Sequence, residues 1–485
     1  MTITPIIGLE VHVELKTKSK MFCGCSATHF QVEPNTHTCP VCLGLPGALP
    51  VPNITACLWC IKIGLALNCS VNLETFFERK NYFYPDLAKG YQITQLQKPF
   101  AIDGYINVDG QKIRINRAHM EEDTAKSQHQ LLEGEEVTLL DFNRSGVPLV
   151  EIVSEPDITS AAQAKLYLQK IQQIIRYLGV SDADIEKGSM RCEPTINLKI
   201  ENNGKTYYTP LVEVKNVASL TGVQNAINFE VKRQTEEFNK TQQTKSAKNK
   251  TTRGWDADKS KTFLQRHKEG SSDYRYFPEP DIPPIVFSQK DIDKIKDNLP
   301  ELPDQKLIRY KSLGLSDYDA MLLTDDYLFS LAFDKITKNN PKIAKSVANL
   351  LLGPIKEHLN QNQKDLNVDK INPQYFASVI DAQQSNQISA TVAKTIILDS
   401  FQTGTDPLTI AQDRGLIQVS DTSKLEEIVD KVLKDNPNVV KNYAKNPNII
   451  GFLIGAVMKA SAGSANPQIA KQILEKKLNS LNLSS

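Results

Sequence analysis

A short run near the start of the chain, GLEVHVEL at residues 8–15, alternates apolar and ionisable side chains. This period of two is typical of a β-strand with one packed face and one polar face. The polar face carries Glu10, His12 and Glu14, and side chains two residues apart on a strand lie roughly 6–7 Å apart. Carboxylates and an imidazole at that spacing are suited to binding a divalent cation or a phosphate group. A solvated polar face is the alternative interpretation, so other motifs must decide.

Two further acidic motifs lie on predicted strands. Residues 119–123, HMEED, place three consecutive carboxylates after a histidine, and such carboxylates repel one another unless positive charge lies among them. Glu151 interrupts the apolar pattern of residues 149–153, where a bare carboxylate is costly to bury. We therefore expect Glu151 either to face water or to pair with a cation.

Magnesium-dependent phosphoryl transfer needs oxygen ligands for the metal and cationic groups for the phosphate oxygens. The acidic motifs supply the oxygen ligands. The candidate cations are Arg79, Lys80, Lys126, Arg191, Lys215 and Arg275. The sequence contains no P-loop, so a different architecture must hold any nucleotide. It also contains no recognisable nucleophile arrangement for amide hydrolysis, so an ammonia source, if one is needed, must lie elsewhere.

Four of the eight cysteines form a C-x-C pair and a C-x-x-C pair separated by thirteen residues. They are Cys23, Cys25, Cys39 and Cys42. In a cytosolic chain such clustering predicts a tetrahedral zinc site rather than disulfides. A rival set combines Cys39 and Cys42 with Cys57 and Cys60, but the last two lie in a stretch with helical apolar spacing, where small buried residues are expected. Reduced structural cysteines without a metal are the remaining alternative.

The 485-residue chain is too long for one ordinary core, which predicts about two to four domains. Its 40% hydrophobic and 23% charged residues are typical of a soluble globular protein, and its net charge of +1 gives no indication of nucleic-acid binding. No secretory signal pattern precedes the first strand, and no apolar run reaches the ~18 residues that span a bilayer. We therefore expect a cytoplasmic protein without a membrane partner.

Strand-like runs alternate with turns up to about residue 293, and one clear helix is predicted from Ser160 to Leu178, ended by Gly179. This pattern predicts an α+β domain on a mostly antiparallel sheet. Prolines recur from Pro278 to Pro303, and beyond them the periodicity is helical, with a turn-rich break at residues 404–407. The expected domains are therefore 1–293, followed by two all-α domains at 294–404 and 405–485. A lysine-rich surface after residue 436 is suited to RNA contact or is merely solvated.

Longer motifs add a family resemblance. They are GLEVHVEL (8–15), TCPVCLGLPGALPV (38–51), RKNYFYPDL (79–87), HMEED (119–123), VPLVEIVSEPD (147–157), GSMRCE (188–193) and DYRYFPEPDIPP (273–284). Together they resemble the B subunit of the tRNA-dependent amidotransferases, the GatB family, over nearly the whole chain. The segment NPNIIGFLIGAVMKASAGSANP (446–467) resembles the helical tail that this family shares with YqeY-type proteins.

The resemblance implies a reaction. GatB-type subunits activate the side-chain carboxylate of glutamate mischarged on glutamine tRNA, or of aspartate on asparagine tRNA, by transferring the γ-phosphoryl group of ATP to it. Ammonia, which an A subunit makes from glutamine, then displaces phosphate, and a small C subunit completes the heterotrimer. The resemblance also implies a catalytic domain, called a cradle, that is similar in fold to glutamine synthetase.

The same resemblance assigns roles to individual residues. The implied magnesium-binding and catalytic residues are Glu10, His12, Glu122 and Glu151, with Glu121 and Asp123 as neighbouring candidates. His12 is unusual in such a set, because magnesium prefers oxygen; it would suit Mn²⁺ or orient a water molecule. The implied cofactor-binding residues are Lys80 and Arg191 on the phosphate side, with Lys126 and Arg275 as further candidates. Zinc-bearing members match the first cysteine quartet, which implies a structural Zn²⁺ ion.

Two other functions stay open at this point. A non-catalytic tRNA-binding scaffold would explain the cysteines and the lysine-rich tail but would leave the acidic residues without a role. A two-metal nuclease would also use clustered carboxylates. ATP hydrolysis that depends on mischarged tRNA separates the kinase-like subunit from both, and RNA cleavage identifies the nuclease.

Overall fold

The computed structural model describes residues 1–268, 274–417, 422–443, 449–461, 465 and 467–482. Asp273 of the DYRYFPEPDIPP motif lies outside these residues, as do residues 446–448, 462–464 and 466 of the tail motif. The chain divides into two compact units, Met1–Pro303 and Asp304–Ser485. The first contains a large apolar core and the second contains two smaller ones.

Strands dominate the first unit. They are β1 (Thr2–Glu14), β2 (Ser70–Val71), β3 (Glu74–Thr75), β4 (Glu78–Asn81), β5 (Tyr91–Thr94), β6 (Ala101–Val108), β7 (Gln111–Glu122), β8 (Lys126–Leu132), β9 (Glu135–Asp141), β10 (Pro148–Ser154), β11 (Met190–Asn202), β12 (Lys205–Tyr208), β13 (Val212–Lys215), β14 (Lys250–Asp256), β15 (Lys261–Lys268), β16 (Phe277–Pro278) and β17 (Ile285–Val286). The helices of this unit are α1 (Ile54–Ala66), α2 (Ala161–Leu178), α3 (Leu220–Thr241) and α4 (Gln289–Asp297).

Ten of these strands form one sheet in the order β15-β14-β13-β11-β1-β10-β7-β6-β2, with β12 paired to β11. The strand pairs are antiparallel except β13 and β14, which run parallel. The predicted α+β class and the mostly antiparallel sheet are therefore confirmed. Strands β8 and β9 form a separate two-stranded hairpin.

Strand β1 lies inside this sheet, between β10 and β11. Leu9, Val11 and Val13 are at most 1% exposed and belong to the main apolar core, as the alternating pattern predicts. The opposite face of β1 carries Glu10 and His12. A neighbouring strand on each side therefore fixes the position of these two polar residues.

Helix α2 covers the apolar face of the sheet. Ser160 caps its first turn by accepting a hydrogen bond from the Gln163 backbone N–H, and Gly179 ends it in the left-handed conformation with φ of 70°. Leu168 and Ile171 lie on its buried stripe. The structure thus confirms the helix predicted from Ser160 to Leu178 and ended by Gly179.

The second unit is helical. Its helices are α5 (Pro303–Ser312), α6 (Asp317–Asp325), α7 (Tyr327–Thr337), α8 (Ala344–Leu350), α9 (Lys356–Gln361), α10 (Pro373–Gln384), α11 (Ala390–Thr403), α12 (Pro407–Asp413), α13 (Thr422–Asp435), α14 (Pro437–Asn442), α15 (Ile450–Ala460) and α16 (Pro467–Asn482), with short 3₁₀ or π turns at Pro341–Ile343, Leu351–Ile355 and Val368–Lys370. Within the described part of the chain, none of the helices is long and apolar enough to span a membrane.

Two apolar cores occupy this unit. One includes residues from Tyr310 to Ala411, and the other includes residues from Leu425 to Leu478. Ile410 and Ala411 of α12 belong to the first core, although they follow the turn-rich break at residues 404–407. The division of the chain at 293 and 404 stays a prediction.

Candidate functional site

Three neighbouring strands place two histidines on either side of one carboxylate. In the register of the sheet, Glu151 of β10 lies opposite His12 of β1 and opposite His119 of β7. The Glu151 Oε2 atom is 3.5 Å from His12 Nε2 and 3.3 Å from His119 Nε2. Glu151 is only 6% exposed, so this carboxylate is paired with imidazoles instead of facing water.

Glu121 adds a second carboxylate to this group. It lies two residues after His119 on the same face of β7, and its Oε2 atom is 3.7 Å from His12 Nε2. The Thr94 hydroxyl donates a hydrogen bond of 2.9 Å to Glu121 Oε1, and Lys80 Nζ is 3.9 Å from the same oxygen. Potential ligand atoms of His12, Glu121 and Glu151 all lie within 4.8 Å of one another.

This donor set fits a divalent cation. Two carboxylates suit Mg²⁺, and an imidazole in the same set is better matched to Mn²⁺ and other transition metals. His119 contacts both carboxylates, and its buried Nδ1 has no hydrogen-bond partner among the described residues. The geometry therefore supports His12 and Glu151 as candidate ligands and identifies Glu121 as the third.

Burial and opposite charge shift the pKa values of this group in contrary directions. Burial alone would lower the pKa of His12, but the carboxylates of Glu151, Glu121 and Glu193 together outweigh burial and raise the pKa of His12 to about 9. Burial likewise opposes the charged form of His119, whose pKa is nevertheless raised by Glu151 and Glu121. In return, the two histidines overcome burial and hold the pKa of Glu151 well below its usual range. The group is thus a network of mutually stabilised charges.

Glu10 lines the same cavity but is not one of the clustered residues His12, Glu121 and Glu151. It lies two residues before His12 on β1 and is paired in register with Val153 of β10 and Glu193 of β11. Burial first, and then repulsion by Glu151, Glu213 and Glu193, raise the pKa of Glu10. Glu10 therefore adds negative charge next to His12, without lying in the closely spaced set of ligand atoms.

Glu122, an expected magnesium ligand, faces the other side of β7 and lies apart from His12, Glu121 and Glu151. Successive side chains on a strand point to opposite faces, so Glu121 and Glu122 cannot both reach the cavity. The Glu122 carboxylate pairs with Lys89 Nζ at 2.7 Å and accepts a hydrogen bond of 2.9 Å from the Ile93 backbone N–H. It lines a smaller cavity together with Cys42. Glu121 takes the place that the motif resemblance assigned to Glu122.

The cavity around the histidines and carboxylates measures about 490 Å³, within the usual size range of a small-molecule site. Its basic lining residues are Lys80, Arg117, Arg191, Lys215, Lys250 and Arg266. Four tyrosines also contribute to the wall, namely Tyr82, Tyr84, Tyr274 and Tyr276. The cavity therefore combines acidic groups, cations and aromatic rings, as a site for a phosphate-bearing ligand requires.

The structure brings two of the four expected phosphate-side residues into this cavity. Lys80 lies beside Glu121, which outweighs burial and raises the pKa of the lysine, so Lys80 is charged at neutral pH. Arg191 donates a hydrogen bond of 2.6 Å to Asp123 Oδ2 and keeps a buried Nε–H without a partner among the described residues.

Lys126 and Arg275, the other two expected cofactor contacts, are not among the residues that line the cavity. Lys126 is exposed on hairpin β8–β9, opposite Asp141. Arg275 is exposed as well, whereas Tyr274 and Tyr276 on either side of it line the cavity. The structure therefore does not place either side chain beside His12, Glu121 and Glu151.

Sequence reasoning did not assign roles to two cavity residues, His119 and Arg117. Both precede Glu121 on β7 at spacings of two, which places them on the same strand face. This polar alternation is visible in the sequence. It is easily missed, because in the first half of β7 the odd-numbered positions carry the buried apolar residues Ile113 and Ile115.

The four expected zinc ligands meet in one place. The sulfurs of Cys23, Cys25, Cys39 and Cys42 lie within 4.8 Å of one another. The Cys39 and Cys42 sulfurs are 3.8 Å apart, and two thiolates bound tetrahedrally to one zinc ion at about 2.3 Å have roughly this separation. Cys57 and Cys60 are instead buried in helix α1. The geometry favours the first quartet over its rival as a metal site.

Comparison with known families shows which family the chain belongs to. The family described as the GatB/GatE catalytic domain matches residues 5–293, and the GatB domain matches residues 331–478. Among similar proteins named as the B subunit of aspartyl/glutamyl-tRNA(Asn/Gln) amidotransferase, one from Persephonella marina is 43% identical over 484 residues, covering 99% of this chain and 100% of that protein. Another, from Dehalococcoides mccartyi, is 44% identical over 492 residues, covering 98% of each chain. The chain therefore belongs to the GatB family of amidotransferase subunits.

Proposed function

We propose that this protein activates the side-chain carboxylate of glutamyl-tRNA(Gln) or aspartyl-tRNA(Asn) by phosphorylating it with ATP, as the B subunit of a ligase. The observation that carries this proposal is the group of His12, Glu121 and Glu151 in one cavity with Lys80 and Arg191. The names of the related subunits support the choice of aminoacyl-tRNA as the acceptor. The product after amidation is Gln-tRNA(Gln) or Asn-tRNA(Asn).

The chemistry needs activation because a carboxylate anion repels a nucleophile and has no leaving group. An oxygen of the side-chain carboxylate attacks the γ-phosphorus of ATP, the bond to the β,γ-bridging oxygen breaks, and ADP leaves. Ammonia then attacks the carbonyl carbon of the acyl phosphate, inorganic phosphate leaves, and the nitrogen gives up a proton to yield the amide. One ATP is thereby converted to ADP and phosphate for each amide formed.

The residues of the cavity divide this work among them. Glu121, Glu151 and His12 would hold a divalent ion, which would neutralise phosphate charge and orient the phosphate oxygens. Lys80 and Arg191 bind phosphate oxygens, since a charged amine and a guanidinium are strong donors to them. Burial in the wall of the cavity strengthens these electrostatic interactions relative to water.

The ammonia must come from a partner subunit, because the sequence of this chain contains no recognisable nucleophile arrangement for amide hydrolysis. We infer that an A subunit generates ammonia from glutamine and that a C subunit completes a heterotrimer. The tRNA brings the acceptor carboxylate into the cavity. Because aminoacyl-tRNA is used in the cytoplasm, the protein acts there.

The direct test combines the full-length chain with its A and C subunits, ATP and tRNA(Gln) charged with glutamate. We expect release of ADP and phosphate that depends on the mischarged tRNA, and amide formation when ammonia is supplied. Binding of the tRNA without ATP hydrolysis would support the scaffold function instead. Cleavage of the tRNA would support the nuclease.

Adjacent residues on β7 provide a matched pair of variants. Glu121→Gln removes a ligand carboxylate from the cavity, so we expect Mn²⁺ affinity and amide formation to fall at least about 100-fold, with tRNA binding retained. Glu122→Gln removes the partner of Lys89 on the other face, so we expect a loss of about 1–3 kcal/mol of unfolding free energy and an unchanged Mn²⁺ affinity. Calorimetric titration and chemical denaturation measure both quantities. Equal losses of Mn²⁺ affinity in the two variants would refute the assignment.

Metal binding is expected to depend on pH through His12. Its pKa of about 9 keeps His12 protonated at neutral pH beside Glu151, Glu121 and Glu193, and a metal must displace this proton. Raising the pH from 7 to 8 lowers the proton concentration tenfold, so protons compete less with Mn²⁺ for His12. The Mn²⁺ affinity should therefore rise about tenfold. Titration calorimetry at the two pH values measures the slope. His12→Gln should reduce it, while His129→Gln on the exposed hairpin should leave it intact; a flat profile in the parent protein contradicts the prediction.

A Zn²⁺ ion held by the four clustered cysteines would have a structural role. Cys39→Ser removes one thiolate ligand, so we expect loss of zinc and a lower melting temperature, because a structural zinc site contributes folding free energy. Turnover per folded molecule should change little. Elemental analysis and thermal unfolding provide the measurements, and Cys57→Ala, buried in α1, is the control that should retain zinc. Metal-free parent protein after purification without chelators would contradict a zinc site.

A further inference from the structure

We propose that Arg117 binds the phosphate chain of the nucleotide, because β7 places its guanidinium in the acidic cavity with a buried N–H that no described residue satisfies. This inference rests on the proposed function and adds a specific phosphate-binding residue to it. The supporting observations are the course of the strand, the partners of the other cations and the position of Arg117 relative to the carboxylates.

The two halves of β7 present opposite phases to the core. Ile113 and Ile115, at odd positions, are at most 1% exposed and belong to the apolar core. Ala118 and Met120, at even positions, are both 0% exposed and belong to the same core. A regular strand keeps one parity on one face, so the chain must change phase between residues 115 and 118.

A β-bulge makes this change. Against β10, Ile115 pairs with Ser154 while Arg117 pairs with Val153, so the register slips by one residue at Asn116. Without the slip, Arg117 would share the core-facing side of Ile115. With it, Arg117 lies on the cavity side of the strand, and bulges of this kind commonly redirect side chains next to active sites.

Arg117 differs from most other cations of the cavity in having no acidic partner among the described residues. Carboxylates lie within 4 Å of four of those cations, and the pairs are Lys80–Glu121, Arg191–Asp123, Lys215–Glu193 and Lys250–Glu213. In the described part of the chain, the side-chain hydrogen bond of Arg117 goes to the Asn116 amide oxygen at 3.1 Å. Its Nε–H is buried and unsatisfied.

An unsatisfied buried donor on a guanidinium is costly, and it is retained where a ligand supplies the acceptor. The guanidinium offers parallel N–H groups that match two oxygens of a phosphate. Arg117 is therefore equipped for an anionic ligand that the protein itself does not provide.

The position of Arg117 indicates which anion it meets. Arg117, His119 and Glu121 follow one another on one face of β7, and Lys80 lies at the Glu121 end of this row. Arg117 is at the other end, roughly 13 Å along the strand from Glu121 at about 3.3 Å per residue. The two cations thus flank the metal-binding group, as an extended phosphate chain bound at its middle by an ion requires. A single carboxylate would not reach both ends.

The test measures binding of Mn²⁺-tripolyphosphate and Mn²⁺-ADP to the full-length chain by calorimetry. For Arg117→Met we expect affinities about tenfold to one-hundredfold weaker than in the parent protein, the value of a charge-assisted hydrogen bond. Arg117→Lys should retain part of the affinity, because lysine keeps the charge without the forked geometry. Arg114→Met, on the same strand before the bulge and paired with Asp157 outside the cavity, is the matched control and should bind as the parent does.

Thermal unfolding distinguishes binding from a structural role. Without ligand, Arg117→Met should melt within a degree or two of the parent protein, because it removes one exposed hydrogen bond to Asn116 and one buried Nε–H that no described residue satisfies. The rise in melting temperature produced by Mn²⁺-tripolyphosphate should shrink in Arg117→Met and stay unchanged in Arg114→Met. A lower ligand-free melting temperature with unchanged affinity would overturn the inference, as would unchanged affinity for both ligands.

The outcomes also separate this inference from the proposed function. Parent protein that hydrolyses ATP with mischarged tRNA, together with an Arg117→Met variant of unchanged nucleotide affinity and KM for ATP, refutes the role of Arg117 alone. Parent protein that binds neither phosphate ligand refutes both. An increase in KM for aminoacyl-tRNA without one for ATP would assign Arg117 to the acceptor carboxylate and would overturn the nucleotide assignment.

Discussion

Two buried carboxylates, Glu121 and Glu151, impose the main physical constraint on this site. A carboxylate removed from water without a countercharge is strongly destabilising, on the order of 3–5 kcal/mol when a buried partner is missing. In the structure the countercharge comes from His12, His119 and Lys80. Those residues belong to three different strands, β1, β7 and β4. The charge balance of the site therefore depends on the arrangement of these three strands.

The antiparallel register brings the opposite charges together with few residues. Because β10 lies between β1 and β7, one carboxylate on β10 meets an imidazole from each side at a single level of the sheet. A shift of one residue in either pairing would turn the partner toward the apolar core. The packing of Val11 and Val150 on the reverse face opposes such a shift, since both are 0% exposed. Apolar burial on one face thus keeps the polar row in register on the other.

Much of this could be predicted from the sequence, because β1, β10 and α2 have clear periodicities and the motifs are long. The choice between Glu121 and Glu122 could not, since it depends on the phase of β7 at its far end. That phase is reversed by a bulge at Asn116, and the sequence shows both phases without locating the residue at which one gives way to the other. The exposure of Lys126 and Arg275 was equally hidden, because it depends on how a hairpin and a loop leave the cavity wall.

The alternation of Glu121 and Glu122 also links the two candidate metal sites. Glu121 faces the larger cavity with His12 and Glu151, and Glu122 lines the small cavity beside Cys42 of the cysteine cluster. Both carboxylates are held by β5, through Thr94 on one face and the Ile93 backbone N–H on the other. Strand β5 thus positions one carboxylate in each cavity, so the two candidate metal sites share a single strand as their support.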